Sequence, residues 1–235
     1  MRRLGVALTF LFSIMAITLL AQKGEKKLKP WTEWTQKDAE KLLDNSGWSQ
    51  TQVMTDISQM FYSPANSSRS TKGAVNQAVP MYFRICFLTA KPVRQAWARL
   101  IELKSKPNPA VKKQLVDFVE GGRSDEWITI AVSFRSDQPQ YEREAMQAFN
   151  SATSGLLKNN TYLEMKNGTR QFLDDYRPGN EPWGSMFRFK RVVDGKPFIT
   201  PECGEVRFYT ELNKDLVLNM RFKVADFNYE GSFEY

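Results

Sequence analysis

The sequence predicts an α+β protein: a helical N-terminal half with two inserted strands, followed by an antiparallel C-terminal sheet. Three observations carry this. Apolar residues recur at helical spacing in several segments ahead of residue 155. Two runs inside that half, 79–89 and 127–134, are short and apolar enough to be buried strands. After residue 160 the pattern turns to clean alternation, punctuated by Asn-Gly and Asp-Gly.

The chain starts with Arg2 and Arg3, an uncharged apolar run from Leu4 to Leu20, and Ala21. That is the order of a secretory signal peptide, with Leu19 and Ala21 fitting a cleavage site. The run is also just long enough for a membrane span, so an uncleaved anchor is the competing reading. The expected organisation is a signal peptide over 1–21, a basic flexible lead over 22–30 and one α+β domain over 31–235, with a sub-boundary near 155–160. Removing residues 1–21 lowers the formal charge of +7 by two. The remaining chain is long enough to bury a core.

Thr35 precedes Asp38 at capping-box spacing, and Ala39, Leu42 and Leu43 share a helical face, so 36–44 is a short helix. Val53, Ile57, Met60 and Phe61 are also at helical spacing, which predicts a second helix over 49–61. "SPANSSRSTKG" (63–73) is a loop. The run 79–89 is a buried strand, and the next helix has Pro92 in its first turn, with Val93, Ala96, Trp97, Leu100 and Ile101 as its stripe. "KSKPNP" ends it. Another helix starts after Asn108 with Pro109, turns Val111, Leu115, Phe118 and Val119 inward, and stops at the glycines 121–122. The strand 127–134 follows, and Asp137 is expected to cap a helix over 139–153. A two-residue turn at Asn167-Gly168 would pair Leu163 with Phe172 and Met165 with Arg170. Asp194-Gly195 repeats the device. Residues 205–212 and 218–224 alternate, with Val206, Phe208, Thr210 and Leu212 on one side and Leu218, Met220, Phe222 and Val224 on the other strand's apolar side.

The chain has no histidine. This removes Ser-His-Asp and Cys-His activation and the commonest metal ligand. Two separated cysteines without histidine do not make a zinc site, and no glycine-rich phosphate motif is present, so neither metal nor cofactor is expected. In an oxidising compartment Cys86 and Cys203 could form one disulfide or remain two thiols. Carboxylate chemistry stays open. Asp174, Asp175 and Glu202 are the acids a glycan hydrolase would use; the plainer reading of Asp174-Asp175 is a solvated turn. Trp31, Trp34, Trp48, Tyr176 and Trp183 are candidate ligand-stacking residues, weighed against plain packing of an N-terminal arm. Basic residues are spread along the chain without a nucleic-acid motif, so nucleic acid is not an expected partner. Expected partners are an envelope polymer or another exported protein, with membrane attachment only through an unprocessed signal segment.

"PWTEWTQKDAEKLLDNSGWSQ" (30–50) and "FRICFLTAKPVRQAWARL" (83–100) together resemble a group of uncharacterised exported bacterial proteins. Those carry a W-x-x-W-[ST] helix start, a later tryptophan and an F-L-T-A-[KR]-P-[VI]-R helix start. The likeness covers roughly residues 30–135. The end, "NMRFKVADFNYEGSFEY", is similar in texture to the last strands of GWxTD-type domains, although "GWSQT" (47–51) only partly matches that string. The resemblance implies export and a packing core, and no activity. The functional expectation is a non-catalytic, envelope-associated binding or interaction module, periplasmic or extracellular, with a carboxylate-dependent glycan hydrolase as the alternative.

Overall fold

The computed structural model describes residues 29–55, 80–121, 124–179 and 182–235. The expected signal peptide, residues 22–28 of the basic lead and the loop 63–73 lie outside them. The chain divides into two compact units, Met1–Glu33 and Trp34–Tyr235. In the first, Trp31–Glu33 forms one 3-10 turn, closed by Glu33 N–H donating to Pro30 O at 2.9 Å. The second unit is mixed α/β with antiparallel sheets.

Helix α1 (Gln36–Asp44) begins at the expected capping box. Thr35 Oγ1 accepts from Asp38 N–H at 3.2 Å, and Asp38 Oδ2 accepts from Thr35 N–H at 3.0 Å. The chain then enters strand β1 (Ser49–Met54), antiparallel to β2 (Met81–Phe87). This corrects the helix expected over 49–61: residues 49–54 are extended, Thr55 is not helical, and residues 56–61 lie outside the described residues. The reason is visible in the packing. Gln50 Nε2 donates to Arg221 O at 3.1 Å, Gln52 Nε2 donates to Val217 O at 3.0 Å, and Gln52 Oε1 accepts from Asn219 N–H at 2.8 Å. Inward glutamines hide the strand's alternation from a hydrophobic pattern.

Helices α2 (Lys91–Ser105) and α3 (Pro109–Gly121) follow, each with proline in its first turn as expected. Asn108 Oδ1 caps α3 by accepting from Val111 N–H at 3.0 Å. Burial on α2 is wider than a stripe, taking in Arg94 and Gln95 besides the apolar residues. Strand β3 (Trp127–Ser136) precedes α4 (Pro139–Ser151) and the single turn α5 (Ser154–Leu157). Asp137 does not cap α4. The cap position is Gln138, without a side-chain bond, and Glu142 reaches back to accept from Ser136 N–H at 2.9 Å.

The remaining strands are β4 (Thr161–Met165), β5 (Arg170–Phe172), β6 (Asp175–Arg177), β7 (Ser185–Lys190), β8 (Val192–Val193), β9 (Lys196–Pro197), β10 (Glu205–Glu211), β11 (Val217–Lys223), β12 (Asn228–Tyr229) and β13 (Ser232–Phe233). One sheet has the order β1-β2-β3-β7-β6 and another β11-β10-β4-β5. The first sheet joins strands from both halves of the sequence, across the stretch 155–160. The Asp194-Gly195 turn is as expected, with Val193 opposite Lys196 and positive φ at both turn residues. The Asn167-Gly168 hairpin is one residue out of the expected register: Tyr162 faces Phe172 and Leu163 faces Gln171. The loop has three residues, not two. Gly168 takes φ +86° at its end, and Asn167 Oδ1 accepts from Thr169 N–H at 3.0 Å. A one-residue slip moves side chains to the other face, and Phe172 is left 44 % exposed.

Helices α1 and α2 lie on one face of the five-stranded sheet, and the four-stranded sheet and α4 pack on the other. The core between sheets is aromatic: Phe87 meets Phe222 edge-on at 5.0 Å, Phe187 meets Phe208 at 5.3 Å, and Phe149 of α4 stacks on Phe134 at 5.2 Å.

Candidate functional site

Alternate residues of a strand face opposite ways. In β2, Phe83, Ile85 and Phe87 point into the aromatic core, so Tyr82, Arg84 and Cys86 face the helices. Pairing then sets two rows of largely polar residues across the sheet. Arg84 stands between Thr51 and Ser133, and Tyr82 stands between Val53 and Arg135. Helix α2 covers the Cys86 end of this face and leaves the two rows uncovered. The result is a cleft of about 450 Å³, floored by Thr51, Tyr82, Arg84, Ser133 and Arg135, and walled by Glu40 and Asp44 of α1 and Trp97, Leu100 and Lys104 of α2.

The charges in the cleft are organised in pairs. Arg84 bonds Asp44 Oδ1 through Nη2 at 2.5 Å and Nε at 3.1 Å, with its guanidinium 5.3 Å from the centre of the Trp97 ring. Arg135 lies over the Tyr82 ring at 4.7 Å. Glu40 Oε1 accepts from Gln36 Nε2 at 2.7 Å. With Arg84 and Asp44 spent on each other, Arg135 and Lys104 outnumber Glu40, and Arg135 sits on the Tyr82 ring. Such a floor suits a polar chain with planar or anionic groups.

Of the sequence-predicted aromatic residues, Trp34, Trp48, Tyr176 and Trp183 do not assemble into this cleft. Trp48 is 9 % exposed, meets Tyr229 edge-on at 5.9 Å and donates from Nε1 to Glu234 O at 2.7 Å. Tyr176 is buried and donates from its hydroxyl to Phe149 O at 2.6 Å. Both are core residues rather than ligand-stacking surfaces. Trp34 is half-buried against the core, and Trp183 is half-buried and stacks on Phe118 at 5.0 Å. Trp31 lies in the 3-10 turn of the first unit.

Each of the three acids has its own partners. Asp174 Oδ2 accepts from Lys190 N–H at 3.2 Å and from Gln171 Nε2 at 3.4 Å. Asp175 Oδ2 pairs with Arg177 Nε at 3.0 Å and lies 3.7 Å from Arg188 Nη1. Glu202 stands in the 3-10 turn Pro201–Cys203, on a different cavity beside Met165 and Phe198. The Thr200 hydroxyl holds the Glu202 carboxyl below its ordinary range, opposite to the raised value a general acid needs. Both cysteines carry free thiols: Cys86 is buried in β2, and Cys203 Sγ lies 3.1 Å from Met165 Sδ. Among the described residues no group of three metal-ligating side chains converges.

Sequence reasoning missed Tyr82, Arg84 and Ser133 because they sit inside apolar runs read as strands, and Arg135 because it lies one residue beyond the run 127–134. The available signal was the polar alternation at the strand ends, Tyr-Phe-Arg in one and Ser-Phe-Arg in the other. No family model, no curated protein and no solved structure matches the chain.

Proposed function

We propose that the protein is an exported, non-catalytic binding module of the cell envelope, and that its cleft holds a segment of an anionic envelope polymer. The observation that carries this reading is the pair of in-register rows, Thr51–Arg84–Ser133 and Val53–Tyr82–Arg135, which helices α1 and α2 wall into a cleft on the sheet. A sheet face that is not needed for packing and presents cations on aromatic rings is suited to binding. The apolar N-terminus behind Arg2 and Arg3 supports export. The ion pair between Arg84 and Asp44 gives the floor a fixed shape before a ligand arrives, which lowers the ordering cost of binding.

Co-sedimentation with insoluble envelope material tests the reading. The protein is expected in the pellet at low salt. A Lys104→Glu/Arg135→Glu double variant, altered only at two exposed cations of the cleft, is expected to bind about tenfold or more weakly with an unchanged unfolding midpoint. A protein that stays in the supernatant, or a variant that sediments like the wild type, contradicts it.

A further inference from the structure

We propose that a second cavity, separate from the cleft, binds a phosphate- or sulfate-sized oxyanion between Arg94 and Arg188. This cavity measures about 170 Å³ and lies where the turn after β2, helix α3 and strands β3 and β7 meet. Among the described residues lining it are two arginines and the hydroxyl residues Thr89, Ser124 and Thr129, and no carboxylate. The volume suits a group of a few atoms rather than a polymer chain.

The two arginines are placed differently and complement each other. Arg94 is 2 % exposed, and its guanidinium is fixed by donation from Nε to Val119 O at 3.0 Å and from Nη1 to Thr89 O. Arg188 rises from β7 opposite Thr129. Its Nε is buried without a hydrogen-bond acceptor among the described residues. Its nearest carboxylate oxygen, Asp175 Oδ2, is 3.7 Å away and is held more closely by Arg177 at 3.0 Å. A buried donor on a charged group that lacks an acceptor is costly, and an anion in the cavity would supply one. Burial, and after it the neighbouring charge of Arg177, lower the Arg188 pKa, the sense expected where a positive charge is under-compensated. A guanidinium fork matches the oxygens of phosphate and sulfate, and the hydroxyls add neutral donors. The inference rests on residues other than those of the cleft, so it stands or falls independently of the proposed function.

Calorimetric titration of the full chain with inorganic phosphate tests it, with sodium chloride at matched ionic strength as the control. Saturable binding of phosphate, at least tenfold weaker in Arg188→Gln and absent with chloride alone, is the expected result. Should Arg188→Gln fail to fold, Arg188→Lys keeps the charge, loses the fork and is expected to bind about tenfold more weakly. A parallel titration with phenyl phosphate identifies the source: tighter binding than phosphate points to a terminal phosphate on a larger molecule, and weaker binding to the free ion. No saturable binding to the wild type, or equal binding to wild type and the folded Arg188 variants, overturns the proposal.

Discussion

Trp48 and Trp34 come from one tryptophan-rich stretch but differ in depth. Trp48 loses nearly all its ring surface to the core and satisfies its indole N–H on Glu234 O, whereas Trp34 is half-buried. Truncating a buried tryptophan costs about 3–5 kcal/mol, so Trp48→Ala is expected to lose that much and Trp34→Ala clearly less. Urea unfolding of the two variants checks the order. A second residue, Cys86, ties stability to pH. Burial raises its thiol from 9.0 to about 11, with Trp97 and Arg84 offsetting part of the shift. The folded value lies above the unfolded one, so the neutral thiol's contribution is fully present below pH 9 and is lost as pH rises through about 11. The loss is on the order of 2–3 kcal/mol. Unfolding measured from pH 8 to 11 is expected to show this decline in the wild type and a shallower one in Cys86→Ala.

Elements with a local signal were legible and those defined by a distant partner were not. The capping box of Thr35 and Asp38 and the Asp194-Gly195 turn are short-range devices, and both form as the residues suggest. Strands β10 and β11 bury Val206, Phe208, Leu218 and Phe222, following their alternation. Strand β1 escaped because its inward residues are glutamines, whose purpose appears only once β11 is beside them. Gln52 both donates to Val217 O and accepts from Asn219 N–H, taking the place of a neighbouring strand along the β11 edge. At about 0.5–1.5 kcal/mol for each bond, Gln52→Ala is expected to destabilise by roughly 1–3 kcal/mol, read from the urea midpoint. The Asn167-Gly168 hairpin shows the limit of turn signals. The dipeptide marks the bend, but whether two or three residues close it decides which face Phe172 takes. The cleft was hidden for a related reason: its floor alternates with core residues of the same strands.

At the scale of the Trp34–Tyr235 unit, one aromatic core between two sheets leaves the helix side of the five-stranded sheet only partly covered. The proposed binding function rests on that uncovered part, where Arg84 and Arg135 rest over Trp97 and Tyr82. The unused faces elsewhere are single apolar residues such as Met146 and Leu156, scattered as on ordinary surfaces. Hydrogen–deuterium exchange of the protein, free and bound to solubilised envelope polymer, addresses the central claim most directly. Binding is expected to slow exchange in residues 51–54, 81–84 and 133–136 and in the second half of α2, around Trp97 to Lys104. Protection confined to other surfaces, with these segments unchanged, would contradict the assignment of the cleft as the binding site.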